Sequence, residues 1–487
     1  MQVKGRTVAM LVTLSVFATI LVTMFVTDKL EEVVPVAAST SVASAATDQG
    51  TQMTEAELKQ LNTVLDLLQT NYVTEIDREK LIDGAISGMM NALDDPYSVY
   101  MEAEVANRFS QSIEGSFSGI GAEVSLENGQ VVVVSPIKGS PAERGGLLAK
   151  DIILSVNGES LAGLTLQEAV ELIRGEKGTK AKLEVMRSGH SDAITVVLIR
   201  DDIDIETVYS DIDEQGIGLI EITQFSQNTS ERFAEELAAL EDKGLKGLVI
   251  DVRNNPGGVL QDVVEIAQLM MKEGTVVVQV EGRSGKRDKT YATGGEQKKY
   301  PIAVLTNGGS ASASEILAGA LQEGAGATVV GEQTYGKGTV QVSYNQLFDD
   351  GGLIKMTIAK WLTPKGNWIN ETGVTPNIVV EPPLVYSIAR LNLNDDEELK
   401  EDQLSEKIRS AQIMLDTLGY SVDREDGYFS KKTSEAVRKF QKDHSLSSTG
   451  VINKQTSAKL EEKIIAFIRD KANDPQLQKA IEIAGRK

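Results

Sequence analysis

The chain has no cysteine and only two histidines, His190 and His444. Without cysteine there can be no disulfide, no thiolate nucleophile and no thiolate metal site. His190 sits in RSGH, which reads as a hairpin turn, and His444 lies in a separate charged segment far along the chain. A Ser-His-Asp triad needs a histidine beside its serine, and neither is placed for that role. A His-rich metal site is poorly supported for the same reason. A cationic face is lacking too: the net charge is −22, against the basic surface that nucleic-acid binding needs. What remains is a long chain, 487 residues and 41% hydrophobic, enough for several domains with sizeable cores.

One long apolar run is present, Thr7 to Val26, preceded by Lys4 and Arg6 and followed by Asp28, Glu31 and Glu32. Twenty residues at helical rise span a bilayer core of about 30 Å. The run is too long for an ordinary signal-peptide core, so we read an uncleaved transmembrane anchor in preference to a cleaved signal. The basic end stays in the cytoplasm, which places residues 1–6 as a stub there and nearly all the rest outside. Residues 27–53, rich in Ala, Ser, Thr and Val, read as a tether. Leu58, Leu61, Leu65 and Leu68, then Leu81/Ile82, Ala85/Ile86, Met89/Met90 and Leu93, predict two amphipathic helices within 54–103. Asp95-Pro96 stops the second. A packing or homodimerisation unit is the expectation there.

Between residues 104 and 202 the texture turns to glycine-rich loops and short strands. GSFSGIGAEV, GSPAERGGL and KDIILSVNGES resemble a PDZ domain, a small β-barrel whose groove adds a peptide as an extra strand. The resemblance implies that Phe117, Ser118, Gly119, Ile120 and Gly121 form the loop whose N–H groups capture a peptide's terminal carboxylate. From 203 to 385, strand-like runs (GIGLIEI, GLVIDVR, IAVLTN) alternate with amphipathic helices (SERFAEELAAL, VLQDVVEIAQLMM, SEILAGALQE), predicting an α/β core. Residues 400–460 resemble a three-helix peptidoglycan-binding-like module, at Gln412, Leu415, Gly419, Asp426, Gly427, Phe440 and Gln441 among others. Beyond it, 461–487 reads as a helical tail. Leu460, Ile464, Phe467 and Ile468 share one face there, suited to packing or dimer contact.

The chemistry concentrates in NGGSASASEIL, Asn307 to Leu317. Ser312 and Glu315 fit a capping box. A cap alone explains neither the paired glycines nor the small residues around Ser312. A nucleophile at a helix start needs that space, and free N–H groups there can stabilise an oxyanion. Without histidine the alternative base is a lysine, which must be desolvated or set near positive charge. Lys337, between Gly336 and Gly338 in VVGEQTYGKGTVQ, stands apart from the other, solvent-facing lysines and can point inward.

SASASEILAGALQ, then GEQTYGKGTVQ, with DVRNNPGG upstream, resembles the carboxyl-terminal processing (tail-specific) serine peptidases. The likeness runs from Asp94-Asp95-Pro96-Tyr97 through the PDZ-like region to GVTPNIVVEP. It implies a crotonase-like spiral of ββα units, Ser312 as nucleophile and Lys337 as base, with Gln341 orienting the lysine. It also implies an oxyanion hole made by Gly257 or Gly258 and the Ala313 amide. No cofactor is implied. The substrates would be proteins recognised by their C-terminal ends, and Arg174, at the end of the PDZ helix, is a candidate regulator that reports groove occupancy. Two rivals are a silent scaffold carrying PDZ and cell-wall modules and an acyl-CoA enzyme on the same fold; the intact Ser312 and Lys337 argue against the first, and the export signal against the second.

Overall fold

The computed structural model describes residues 52–187, 192–345 and 347–486. The membrane-anchor reading of Thr7–Val26, nearly all of the tether and the His190 turn lie outside these residues. Among the described residues no helix is long and apolar enough to cross a membrane. The chain divides into two units, Met1–Ile82 and Asp83–Lys487. In the first, Glu55–Asn71 is a helix with a full capping box, Thr54 N–H donating to Glu57 Oε2 at 2.7 Å. None of its residues is buried, and Leu58, Leu61 and Leu67 are exposed. The helix Arg78–Asn91 follows, and the chain turns at Asp94, in the left-handed region with φ 51°.

The α/β core is built on a six-stranded sheet. In spatial order its strands are Val208–Ile212, Ile217–Ile222, Gly247–Asp251, Ile302–Thr306, Thr328–Gly331 and Ile378–Val379. All neighbours are parallel except the first pair. Such a sheet needs cover on both faces, which is why GLVID and IAVLT are wholly buried and apolar up to their last residues, Asp251 and Thr306. Alternate residues serve opposite faces. Leu248, Ile250, Ile302 and Val304 join the cluster with helices Thr229–Asp242, Leu260–Met270 and Ala313–Ala320. Val249, Ala303, Leu305 and Val330 meet Leu477, Ala480 and Ile483 of the last helix, Pro475–Ala484.

That last helix revises the reading of the tail. Leu460 and Ile464 are buried in the C-terminal module and Phe467 and Ile468 pack against it, so its third helix runs on through Lys454–Arg469. The chain then returns to cover the six-stranded sheet, so the module is spliced into the core instead of trailing from it. His444 belongs to this module, its ring 4.5 Å from that of Phe440.

A second, antiparallel sheet joins Val99–Met101, Leu353–Leu362, Val276–Gly282 and Arg287–Tyr291, with Thr339–Tyr344 also paired to Leu353–Leu362. The alternation read from sequence did not anticipate it. It has one functional consequence: pairing Val99–Met101 with Leu353–Leu362 carries the Asp95-Pro96-Tyr97 turn onto the strand that pairs with Thr339–Tyr344, the strand that follows Lys337.

The PDZ-like region forms a sheet in the order Ala122–Glu127, Gln130–Pro136, Ile152–Val156, Lys180–Met186, Ile194–Ile199, with Glu159–Ser160 paired to Ile152–Val156. Leu166–Ile173 is its helix, opened by a Thr165/Glu168 capping box. Ala122–Glu127 is an edge strand, paired on one side only.

Candidate active site

The three serines of SASAS have different fates. Ser310 and Ser314 are fully buried and donate their hydroxyls to main-chain carbonyls, Val252 O at 2.7 Å and Asn255 O at 2.9 Å. They bolt the serine turn to the NNPGG loop. Ser312 is partly exposed, and it forms a capping box with Glu315, whose carboxylate accepts the Ser312 N–H. Its backbone is the outlier of the region, φ 54° and ψ −111°. A residue with a Cβ is strained there by about 1–3 kcal/mol, and such strain persists where the surroundings over-determine it, typically at functional sites. A sharp strained turn into a helix is also how hydrolases present a serine hydroxyl.

The NNPGG loop explains the close quarters. Gly257 has φ 101°, and a Cβ there would fall 2.8 Å from Ala311 O and 2.9 Å from Ser312 Cβ. Only glycine lets the two loops touch. The Asn255 side chain, fully buried, accepts the Gly257 N–H at 2.9 Å and donates to Ile222 O. Gly257's donor is therefore engaged. Among the described residues the N–H groups of Gly258 and Ala313 make no hydrogen bond.

Glu315 is the residue that sequence reading undervalued. It is fully buried in a helix otherwise made of small and apolar residues. A carboxylate can stay there only if its lone pairs are satisfied. Oε2 accepts the N–H groups of Ser312 and Lys337, each at 2.8 Å, and Oε1 accepts Gly336 N–H and the Thr334 hydroxyl, each at 2.6 Å. One carboxylate thus holds the backbones of serine and lysine together. The signal was present in the sequence: a lone acid in SASEILAGAL whose neighbours leave it no way to solvent.

Lys337 is half-buried, and its ammonium lies over the Tyr97 ring, 4.8 Å from the centroid. Burial first, then the nearby Lys355 charge, pushes it down to about 8, against the pull of Asp95 and Glu315. Among the described residues it makes no ion pair or side-chain hydrogen bond. Gln341 does not orient it in this conformation. The Gln341 amide instead donates to the Thr339 and Thr357 hydroxyls, at 2.8 and 3.1 Å, because a bulge between Val340 and Gln341 sets this residue opposite Thr357. Asp95, read from sequence with Pro96 as a helix stop, and Tyr97, read there only as part of the family likeness, also meet Lys337 here. Burial opposes the Asp95 charge. Bonds from Ser98, Thr357 and the Tyr97 N–H, with the field of Lys337, outweigh that and hold its carboxyl below the usual range. Burial, then Tyr335, pushes Tyr97 up to about 12, so it stays a neutral ring.

In the PDZ region the carboxylate loop is shorter than the sequence implied. Phe117, Ser118 and Gly119 lie in a strand, Ser116–Gly119, paired with Asp201–Asp204. Only Ile120 and Gly121 form the turn, and their N–H groups are unengaged among the described residues. Among the described residues the buried Ser118 hydroxyl has no partner. Arg174, at the end of the PDZ helix, donates to Gln111 Oε1 at 3.1 Å, and its guanidinium covers the Phe117 ring at 4.7 Å. Arg108, Gln111, Ser112, Phe117, Arg174 and Ile205 line a pocket here.

Residues 216–380 match peptidase family S41, 132–187 a PDZ domain, 405–460 a peptidoglycan binding domain, and 18–105 the N-terminal domain of the activating protease CtpB. The carboxy-terminal processing protease CtpB of Bacillus subtilis (strain 168) is 43% identical over 90% of this chain and 91% of its own length. CtpA of the same organism is 40% identical over 88% and 90%. The solved photosystem II D1 C-terminal processing protease is 27% identical, covering 68% of this chain and 94% of its own, with a TM-score of 0.40. The chain belongs to peptidase family S41, the carboxy-terminal processing serine peptidases.

Proposed function

We propose that this peptidase works through a Ser312/Lys337 dyad. Neutral Lys337 takes the Ser312 proton as the hydroxyl oxygen attacks a peptide carbonyl. The N–H groups of Gly258 and Ala313 receive the oxyanion, the amine leaves with a proton from Lys337, and water then hydrolyses the acyl-enzyme. The observation that carries the reading is the strained Ser312 turn, tied through Glu315 to a lysine pushed down to about 8. A cation–π contact favours only the charged form, so loss of the proton both creates the base and weakens its hold on Tyr97.

The substrates we infer are extracytoplasmic proteins recognised by their C-terminal ends. The edge strand Ala122–Glu127 and the unengaged Ile120 and Gly121 N–H groups suit an added strand with a free carboxylate. Arg174 is placed to report groove occupancy, since Gln111 belongs to the helix Ala103–Glu114, which also lies against the core: Gln224 Nε2 donates to Ser112 O at 2.8 Å. Membrane anchoring rests on Thr7–Val26 and a homodimer on the exposed leucines of Glu55–Asn71. Peptidoglycan contact rests on the C-terminal module, and the crotonase-like reading on the parallel sheet with its helices.

Incubating the chain from Thr54 onward with a disordered protein, beside Ser312→Ala and with an acylating serine probe, tests the dyad. Cleavage and labelling should both vanish in the variant. Retention of either near the wild-type level refutes the assignment of Ser312.

A further inference from the structure

A second buried lysine stands beside the first. Lys355 lies on Leu353–Leu362, the strand that pairs with Thr339–Tyr344 just after Lys337. It is half-buried, and its ammonium sits over the Phe109 ring at 5.2 Å. Like Lys337, it makes no ion pair or side-chain hydrogen bond among the described residues. Two ammonium groups on aromatic faces, both half-buried and within the field of one carboxylate, form an arrangement that stability alone does not favour. Each would be better hydrated outside.

The shared carboxylate is Asp95, whose charge acts on both lysines. It is held in place by Ser98 Oγ, which donates to it at 2.6 Å and accepts the Thr357 N–H at 2.9 Å. Thr357 lies two residues beyond Lys355, on the same face of the strand, and also receives Gln341. Lys337 is thus faced by Asp95 and Tyr97 from the turn before the second sheet, by Glu315 from the serine helix, and by Lys355 from the neighbouring strand. Tyr97 stays neutral, with Tyr335 beside it. The Glu315 carboxylate is engaged by four donors. Lys355 is the one cation in this set that acts against a proton on Lys337.

We propose that Lys355 is a positioning residue of the peptidase: its charge, seated on Phe109 and sharing Asp95, keeps Lys337 available as the neutral base. The inference rests on Lys337 being the base. Removing Lys355 acts twice in the same direction. It deletes a repulsive charge and leaves Asp95 to pair with Lys337 alone, so both changes favour the protonated lysine.

The test is the pH profile of kcat/KM for cleavage of a disordered protein, using the full chain and Lys355→Met, Lys355→Gln and Lys355→Arg. The rising limb of the wild type should move to higher pH in the Met and Gln variants. Activity at pH 7 should fall about three- to tenfold and approach the wild-type plateau in alkali. Arg, which keeps the charge, should restore the limb. A uniform loss at every pH, or a limb that stays in place, overturns the proposal. If Lys355→Met does not fold, the comparison of Gln with Arg gives the same answer. Lys337→Met separates the two failures: if that variant retains activity, or the wild type shows no rising limb, the dyad itself is wrong. An inactive Lys337→Met with an unmoved limb in the Lys355 variants removes only the role of Lys355.

Discussion

The serine turn and the PDZ entrance are built on opposite principles. Around Ser312 nearly every polar group is engaged: Ser310, Ser314, Asn255 and Glu315 are fully buried and bonded, most at 2.6–3.0 Å. What they leave open is the partly exposed Ser312 side chain and, among the described residues, the Gly258 and Ala313 N–H groups. At the PDZ entrance less is engaged. Among the described residues the Ile120 and Gly121 N–H groups are open, the Ser118 hydroxyl has no partner, and Arg174 makes one 3.1 Å hydrogen bond and covers a ring face. Rigid framing suits chemistry, which needs donors aimed before charge develops. Loose framing suits recognition, where a ligand must supply the difference between two states.

The largest effect expected from breaking this comparison is at Ser312. Ser312→Ala should abolish cleavage with the fold intact. Ser312→Gly should be equally inactive yet at least as stable as the alanine variant, because glycine relieves the φ 54° strain. Ser310→Ala should keep measurable activity while losing about 1–3 kcal/mol, since two buried backbone groups lose their partner. Denaturant midpoints beside turnover rates check all three, and a glycine variant less stable than alanine would mean the turn is not strained.

Lys337→Met should match Ser312→Ala in inactivity, as base and nucleophile act as one unit. For the wild type, the base must be neutral. Activity should therefore fall about tenfold per unit below pH 8 and level off above it. The same shift has a stability consequence. The ordinary lysine value is 10.5 and the folded value about 8, so below pH 8 the native state carries the whole cost of a buried charge. Between 8 and 10.5 the unfolded chain binds more protons, and that cost fades as pH rises. Lys337→Met should accordingly melt at a higher temperature than wild type at pH 7, with the gap closing toward pH 10. A gap that widens with pH contradicts the direction of the shift.

Glu315→Gln comes next. An amide of the same shape can accept through only one oxygen, and its NH₂ would face the donors now bound by a carboxylate. Turnover should drop about 10–100-fold, less than for the dyad, with Ser312 still labelled slowly by an acylating probe. Glu315 also shows what the sequence made legible. Motifs whose residues are neighbours in the chain, such as SASAS, NNPGG and YGKG, stood out by their glycines and small residues, and the resemblance to the tail-specific peptidases supplied their roles. Glu315 was visible only as a cap, since its bonds to Thr334, Gly336 and Lys337 depend on how two loops dock. Asp95, Tyr97 and Lys355 were beyond reach. They meet Lys337 through the antiparallel pairing of Val99–Met101 with Leu353–Leu362, a half-exposed sheet without the continuous apolar runs that announced the parallel one. The PDZ turn was misread at its start for a similar reason: Phe117–Gly119 pairs with Asp201–Asp204, a partner that local glycine content does not reveal.

The smallest effect falls on the soft side of the comparison, and it decides whether softness there is functional. Burial, then the neighbouring Arg108 charge, pushes the Arg174 guanidinium below its ordinary value, although at neutral pH it remains charged. Its contacts are Gln111 and Phe117, one on the helix entering the PDZ and one on its first strand. If these merely hold the helix Ala103–Glu114 in place, Arg174→Ala and Gln111→Ala should each lower stability slightly and leave turnover alone. If instead they report the groove, each should lower turnover severalfold with tail-peptide binding and PDZ melting unchanged. The double variant should then be no worse than the single ones, because either change removes the same bond. Rates that multiply in the double variant would show that Arg174 and Gln111 act separately. Wild-type rates in all three would leave the PDZ as a tether, and the contrast with the serine turn would be one of stability alone.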